Sequence, residues 1–173
     1  YKHIEAVERL LYANSGKKVK IVLGLVAEKQ YDCIKIYKED NQIFQNFQYK
    51  ITLNNTIYVE EICKYVTINL DRINNNLKTI YTKEFDLDKF DFNIDNICIR
   101  TRKQGDFIKL KSGTKKLKDF FIDEKIPRDL RNNLPLIAVE NNILWVVGKR
   151  TADFYTADKN TKHRIIIEFQ EDE

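Results

Sequence analysis

Lysine and arginine side chains concentrate between residues 100 and 131, which makes this part of the chain the best candidate for a functional site. It holds eleven basic against five acidic residues, a net charge of +6, whereas the rest of the chain holds 19 basic and 21 acidic residues. A basic block in an otherwise slightly acidic chain is the electrostatic footprint of a protein that binds a polyanion. A solvated lysine-rich surface is the alternative that charge alone leaves open.

No catalytic motif accompanies this basic block. Gly16 and Lys17 resemble part of a phosphate-binding loop, but that motif needs a serine or threonine where Lys18 stands. Asp86 and Asp88 could act as general acid and base, although carboxylates in a polar linker are more often solvated turn residues. We therefore expect the chain by itself to be non-catalytic.

The cysteine and histidine residues are too scattered to predict a metal site. Cys33, Cys63 and Cys98 lie far apart without the paired spacing of zinc or redox motifs, and only His3 and His163 accompany them. We predict reduced cysteines that pack in the core, and we expect this chain to bind no cofactor or metal.

The start of the chain and its apolar runs bear on its location. No charged segment followed by an apolar one predicts a signal peptide, and apolar runs such as residues 136–139 and 143–147 are far too short for a membrane span. We expect a cytoplasmic protein without membrane contact. Because the sequence lacks methionine and opens on Tyr1, we also expect a fragment or a processed piece.

Hydrophobic periodicity predicts an α+β fold that is mainly antiparallel β with a few short helices. An amphipathic pattern predicts a helix over residues 2–13, and period-two patterns rich in β-branched and aromatic residues predict strands in both halves. The predicted strands cover residues 18–23, 25–28, 31–37, 46–53, 57–63, 78–85, 97–101, 136–139, 143–147 and 165–169.

Polar segments suggest how the chain is divided. A turn is predicted at residues 74–76, and the charged segment 85–91 is the best candidate for a boundary. We predict three regions, namely a linker helix (1–15), a β-rich central subdomain (16–92) and a C-terminal domain (93–173).

A second helix is predicted over residues 114–125, where apolar side chains at i, i+3 and i+4 from Leu117 give it a buried face. Lys115 and Lys116 then fall in its first turn and oppose the helix dipole, at a cost of about 0.3–1 kcal/mol each. We interpret this placement as a phosphate site, because a bound phosphate would meet free backbone N–H groups and both ammonium groups. Exposed lysines that tolerate the penalty are the alternative.

Four stretches between residues 99 and 148 have a specific order and spacing. They are Ile-Arg-Thr-Arg-Lys-Gln-Gly-Asp at 99–106, Thr-Lys-Lys-Leu-Lys-Asp-Phe-Phe-Ile-Asp-Glu-Lys-Ile-Pro-Arg at 114–128, Leu-Pro-Leu at 134–136 and Trp-Val-Val-Gly at 145–148. Together they resemble the C-terminal domain of bacterial tRNA(Ile)-lysidine synthetases, and residues 2–26 resemble the segment that joins that family's catalytic part to its C-terminal region.

The resemblance implies a β-sandwich-like C-terminal domain over residues 93–173 that binds the body of tRNA, including the acceptor stem. The parent enzyme would be a ligase of tRNA processing that uses ATP and L-lysine to convert the wobble cytidine of a minor tRNA(Ile) to lysidine. The sites for ATP and Mg are implied to lie in an N-terminal PP-loop domain whose SGGxDS-type motif this sequence lacks. The expected partners are tRNA(Ile) and that catalytic domain.

The sequence departs from the family pattern at two places. The family's usual Pro-Gly-Asp-Arg is Gln-Gly-Asp-Phe at residues 104–107, which removes one proline and one positive charge. The Arg-Ile-Ser-Glu-Arg that commonly follows Trp-x-x-Gly is Lys-Arg-Thr-Ala-Asp at residues 149–153. Lys149 and Arg150 nevertheless keep this segment basic.

Nine basic residues are predicted to meet phosphates and riboses of tRNA. Because the major groove of double-stranded RNA is deep and narrow, recognition should depend on shape and backbone rather than on bases. The alternative is a structural module that packs on the catalytic domain or mediates self-association, with its basic block merely solvated. The nine residues are Arg100, Arg102, Lys103, Lys115, Lys116, Lys118, Arg128, Lys149 and Arg150.

Overall fold

A computed structural model describes residues 2–38, 46–70 and 79–171. The chain forms two compact units, one of Tyr1–Phe44 with Phe121–Arg131 and the other of Gln45–Phe120 with Asn132–Glu173. These two units group the chain differently from the three regions predicted from the sequence, which stay a prediction. The turn predicted at residues 74–76 lies outside the described residues.

The first unit contains a helix and a three-stranded antiparallel sheet. Its elements are α1 (Lys2–Leu11), β1 (Lys18–Lys20), β2 (Leu25–Gln30) and β3 (Cys33–Lys38), with the strands in sequence order. Leu10 is buried on one side of α1, and Val26 and Ala27 are buried in β2. The first strand is shorter than predicted because a 3-10 turn, Val22–Gly24, follows it, with Leu23 at a φ of 60°.

Two sheets form the second unit. Their strands are β4 (Gln48–Lys50), β5 (Asn55–Val59), β6 (Lys64–Leu70), β7 (Thr82–Asp86), β8 (Cys98–Arg100), β9 (Phe107–Leu110), β10 (Gly113–Lys116), β11 (Leu136–Val139), β12 (Asn142–Val146), β13 (Arg150–Thr151) and β14 (Arg164–Glu171). The larger sheet has the order β10-β9-β12-β11-β8-β4 with β13 beside β12, and the smaller has the order β5-β6-β14-β7. The strand pairs are antiparallel apart from β9 with β12, which is parallel.

Apolar side chains of the two sheets meet in the core of the second unit. Trp145 of β12 and Phe169 of β14 contact each other edge to face, with ring centroids 5.3 Å apart. Along β14 the side chains alternate between buried and partly exposed, as expected for a strand with one covered face. The predicted α+β fold, mainly antiparallel β and sandwich-like, is confirmed.

The predicted helix over residues 114–125 is wrong at its start. Helix α2 covers only Leu117–Asp123, and the preceding residues form β10, which pairs with β9. The hairpin fixes Lys115 and Lys116 in extended backbone, since strand pairing with β9 overrides the local helical pattern. The two lysines are therefore not in the first turn of a helix, and the phosphate site inferred from that placement is withdrawn.

Two further predictions concern the cysteines and the membrane. Cys33 and Cys63 are exposed, so the prediction of core thiols holds for Cys98 alone, where burial raises the pKa of the thiol. Within the described ranges, no helix is long and apolar enough to cross a membrane.

Candidate nucleic-acid interface

Residues 101–106 form a crossover loop in the second unit. The loop joins β8 to β9, which run in the same direction with β11 and β12 between them. An ion pair ties its two ends together, with Arg100 Nη1 2.9 Å from Asp106 Oδ2 and Nη2 2.8 Å from Oδ1. Both side chains are only 1% exposed. A buried two-pronged pair of this kind fixes the geometry of the loop that it closes.

Both terminal nitrogens of Arg100 also donate to backbone oxygens inside the protein. Its guanidinium donates to the backbone oxygens of Thr101, at 2.9 Å, and of Glu140. Asp106 Oδ2 in turn accepts the backbone N–H of Lys103 at 2.7 Å. The prediction that Arg100 meets a phosphate is therefore wrong, because the side chain is buried and holds the crossover loop in place.

The crossover loop packs on the turn between β11 and β12. The N–H of Phe107 donates to the carbonyl of Asn141 at 2.9 Å. Gly105 has a φ of +90°, and a Cβ at this position would lie 3.2 Å from Asn141 Nδ2. Only glycine adopts this backbone conformation in so little space without strain.

Replacing Gly105 with alanine should therefore destabilise the protein by about 1–3 kcal/mol, because the new methyl group strains the backbone and crowds Asn141. Thermal unfolding measures this loss. Gln104→Ala, at the exposed neighbouring position, is the control and should change stability by about 0.5 kcal/mol or less. Equal stabilities of the two variants would refute the structural role of Gly105.

Two cations are presented on the outside of the crossover loop. Arg102 Nε donates to the amide oxygen of Asn132 at 2.7 Å, and Lys103 Nζ donates to that of Gln48 at 2.5 Å. Both basic side chains are exposed. Because amide oxygens carry no net charge, these bonds orient the two cations without neutralising them.

The start of helix α2 adjoins the same loop. The N–H of Leu117 donates to the carbonyl of Asp106 at 2.8 Å, which places Lys116 and Lys118 next to the closed end of the loop. Both lysines are exposed, and within the described residues neither side chain forms a hydrogen bond or an ion pair. We call Arg102, Lys103, Lys116 and Lys118 the crossover surface.

Lys115 does not belong to the crossover surface. It pairs across the hairpin with the buried Ile108 and is itself half-buried. Successive side chains of a strand point to opposite faces of the sheet, so Lys115 and Lys116 point in opposite directions. The sequence predicted both lysines in the first turn of a helix, whereas the structure places them on opposite faces of a strand.

Lys149 and Arg150 form a second basic group, at the turn between β12 and β13. Both are exposed, and Arg150 pairs with Asp153 at 3.2 Å. Asp153 also accepts the N–H of Lys111 at 3.0 Å. Burial alone would raise the pKa of Asp153, but the Lys111 N–H and the Arg150 guanidinium outweigh it, so this pKa lies below its usual value.

Arg128 belongs to the first unit, apart from the eight other predicted residues. It is exposed, and its Cδ lies 3.4 Å from the position that a Cβ on Gly16 would take.

The second unit is thus a two-sheet α+β domain with an exposed basic crossover loop. Residues 97–167 match the family model described as the TilS substrate C-terminal domain. Across its length the chain is similar to tRNA(Ile)-lysidine synthases. It is 35% identical to that of Caldanaerobacter subterraneus subsp. tengcongensis, with 98% of this chain and 36% of the relative covered.

Other comparisons agree. The tRNA(Ile)-lysidine synthase of Clostridium tetani is 34% identical over 97% of this chain and 37% of its own length. The chain thus spans little more than a third of the relatives that it matches. The crystal structure of a TilS C-terminal domain superposes with a TM-score of 0.58 at 22% identity, covering 75% of this chain and 99% of that one. This likeness confirms the fold.

Proposed function

We propose that this chain is the non-catalytic tRNA-binding region of a tRNA(Ile)-lysidine synthase, and that the crossover surface holds the phosphate backbone of tRNA. In this proposal, the parent enzyme attaches lysine to the wobble cytidine of a minor tRNA(Ile) with ATP. The ATP and Mg sites belong to the catalytic part of that enzyme. The partners of the chain are then tRNA(Ile) and the catalytic domain.

The proposal rests on one observation: the crossover loop holds exposed cations in fixed positions without pairing them with carboxylates. A buried ion pair closes the crossover loop, and neutral amide groups orient Arg102 and Lys103 on it. Cations that are held in place before binding lose less conformational entropy when they meet phosphates. Contacts to phosphates position a protein on RNA without reading its sequence, which suits a domain that grips the body of tRNA.

The second basic group extends this proposal. Lys149 and Arg150 would meet further phosphates, although Arg150 is partly neutralised by Asp153. Arg128 is a separate proposed contact on the first unit. Lys115 is half-buried, and we assign it the smallest part among the predicted residues.

Titration of the chain with tRNA at several salt concentrations tests the proposal. The four phosphate contacts of the crossover surface alone should make log affinity fall with log salt at a slope of about −3 to −4, which is a loss of about 100-fold or more between roughly 50 and 200 mM salt. Fluorescence anisotropy of labelled tRNA measures the affinity. Binding that is absent at low salt, or that does not depend on salt, would contradict the proposal.

An observation in the first unit favours a second candidate function, that of a packing module. Large apolar side chains are exposed there, among them Ile4 at 62% and Leu23 at 89%. A cleft of about 320 Å³ has an apolar surface lined by residues of α1 and the following strands, including Val7, Leu11 and Ile34. Exposed apolar patches of this kind mark surfaces that pack on other proteins.

Measuring binding of the chain to the catalytic part of the enzyme and to tRNA separates the two candidate functions. A packing module should associate with the catalytic part of the enzyme, and Ile4→Ser with Leu11→Ser should weaken that association while tRNA affinity is unchanged. If the chain bound the catalytic part but no tRNA at any salt concentration, the packing function alone would stand.

A further inference from the structure

Phe154 is an exposed aromatic residue beside the second basic group. It lies in the 3-10 turn Asp153–Tyr155, and 53% of the residue is exposed. A phenylalanine ring offers no hydrogen bond to water, so its exposure is unfavourable unless another group covers it. A single exposed apolar residue is common on protein surfaces, but this ring is held in place from below and has cations beside it.

The ring of Phe154 rests on a rigid base. It meets Tyr155 edge to face, with centroids 5.0 Å apart and planes at 85°. Tyr155 is fully buried, and its hydroxyl accepts from Asn142 Nδ2 at 2.6 Å. Phe90 and Phe92 pack against Tyr155 at 5.5 and 5.7 Å. The exposed ring is thus fixed before any partner arrives.

Cations surround this ring. Lys109 Nζ lies 5.3 Å from the centroid of Phe154 and 3.4 Å from Asp91 Oδ2. Asp153, the chain neighbour of Phe154, pairs with the guanidinium of Arg150 at 3.2 Å and accepts the backbone N–H of Lys111 at 3.0 Å. With Lys149, the group has four cations against the two carboxylates of Asp91 and Asp153, so it keeps a positive charge.

An aromatic ring and a cationic surround are the two elements with which proteins bind unpaired nucleotides. Bases of any sequence stack on aromatic rings, while nearby lysine and arginine side chains neutralise the flanking phosphates. A paired base offers no free face within a helix. An aromatic platform next to cations therefore fits a single-stranded end or a loop of the RNA better than its helical stem.

We propose that an unpaired base of the bound tRNA stacks on Phe154, with Lys111, Lys149 and Arg150 close to its flanking phosphates. This inference rests on the proposed function. It adds base stacking to the phosphate contacts of that function. The crossover surface holds paired backbone, and the Phe154 site holds an unpaired nucleotide.

The experiment compares two RNAs, a blunt duplex of about 16 base pairs and the same duplex with about four unpaired nucleotides at one 3′ end. 2-Aminopurine in the unpaired segment reports stacking by loss of its fluorescence. The wild-type chain should bind the overhang duplex roughly 5- to 150-fold more tightly than the blunt one, with quenching. Phe154→Ala and Phe154→Leu should lose this gain, and Phe154→Trp should keep it.

Each outcome decides a different point. Equal affinity of the wild-type chain for both duplexes would overturn the stacking proposal, while salt-dependent binding of the blunt duplex would leave the proposed function standing. Phe154→Leu that kept the gain would also overturn it, since leucine is apolar but cannot stack. Binding of neither RNA would remove both proposals. Tyr12→Ala, at an aromatic residue that is 92% exposed in the first unit, is the matched control and should change neither affinity.

Discussion

Asp106→Ala should lower the free energy of unfolding by about 3–5 kcal/mol, because it leaves the buried guanidinium of Arg100 without its counter-charge. The carboxylate also accepts the N–H of Lys103, so the crossover loop loses a second support. For a domain of this size, the loss corresponds to a melting temperature lower by about 6–20 °C. Thermal unfolding followed by circular dichroism measures it.

Two further variants make this first prediction specific. Asp95→Ala, at an exposed carboxylate, should change stability by about 0.5 kcal/mol or less. Arg100→Met combined with Asp106→Leu removes both charges together, and should cost less than the sum of the single substitutions because no charge is left buried and unpaired. A melting temperature of Asp106→Ala equal to that of the wild type would show that the pair does not hold the fold.

Neutralising the crossover surface should have the largest effect on binding. The combined variant Arg102→Gln, Lys103→Gln, Lys116→Gln and Lys118→Gln removes about four phosphate contacts, and tRNA affinity should fall on the order of 100- to 1,000-fold at about 0.1 M salt. These side chains are exposed, so the melting temperature should stay close to that of the wild type. Anisotropy titration and thermal unfolding of the same preparation measure the two quantities.

The control for this variant changes the same number of charges elsewhere. Four of the exposed lysines outside the crossover surface serve for this control, namely Lys17, Lys50, Lys159 and Lys162. Their combined replacement with glutamine gives the same net charge, and should weaken tRNA binding by about 10-fold or less through the long-range field alone. An equal loss in both variants would mean that net charge, and not the crossover surface, determines the affinity.

The sequence predicted much of the fold because its signals are local. Short stretches rich in apolar residues predicted β11, β12 and β14, and an amphipathic pattern predicted α1. The start of α2 was wrong because β10 exists only through its pairing with β9. The polar strand β10 has no alternating apolar pattern of its own, and the apolar residues that follow it favoured a helix over the whole segment.

The candidate site was predicted in composition but not in arrangement. Charge counting located the basic block, yet it could not separate the buried Arg100 from the exposed Arg102. The order Arg100, Gly105, Asp106 held a usable signal, since a glycine directly before an acid can mark a turn that returns the carboxylate to an earlier arginine. Phe154 was not predicted as a site residue because the sequence does not show whether a phenylalanine ring is buried or exposed.

The most direct test of the tRNA-binding account is the salt dependence of binding by the wild-type chain and by the neutralised crossover variant. If the crossover surface contacts about four phosphates, the slope of log affinity against log salt should be less steep in the variant than in the wild type by about 3 to 4, while the Lys17, Lys50, Lys159 and Lys162 control keeps the wild-type slope. Identical slopes in the wild type and the crossover variant would contradict the account.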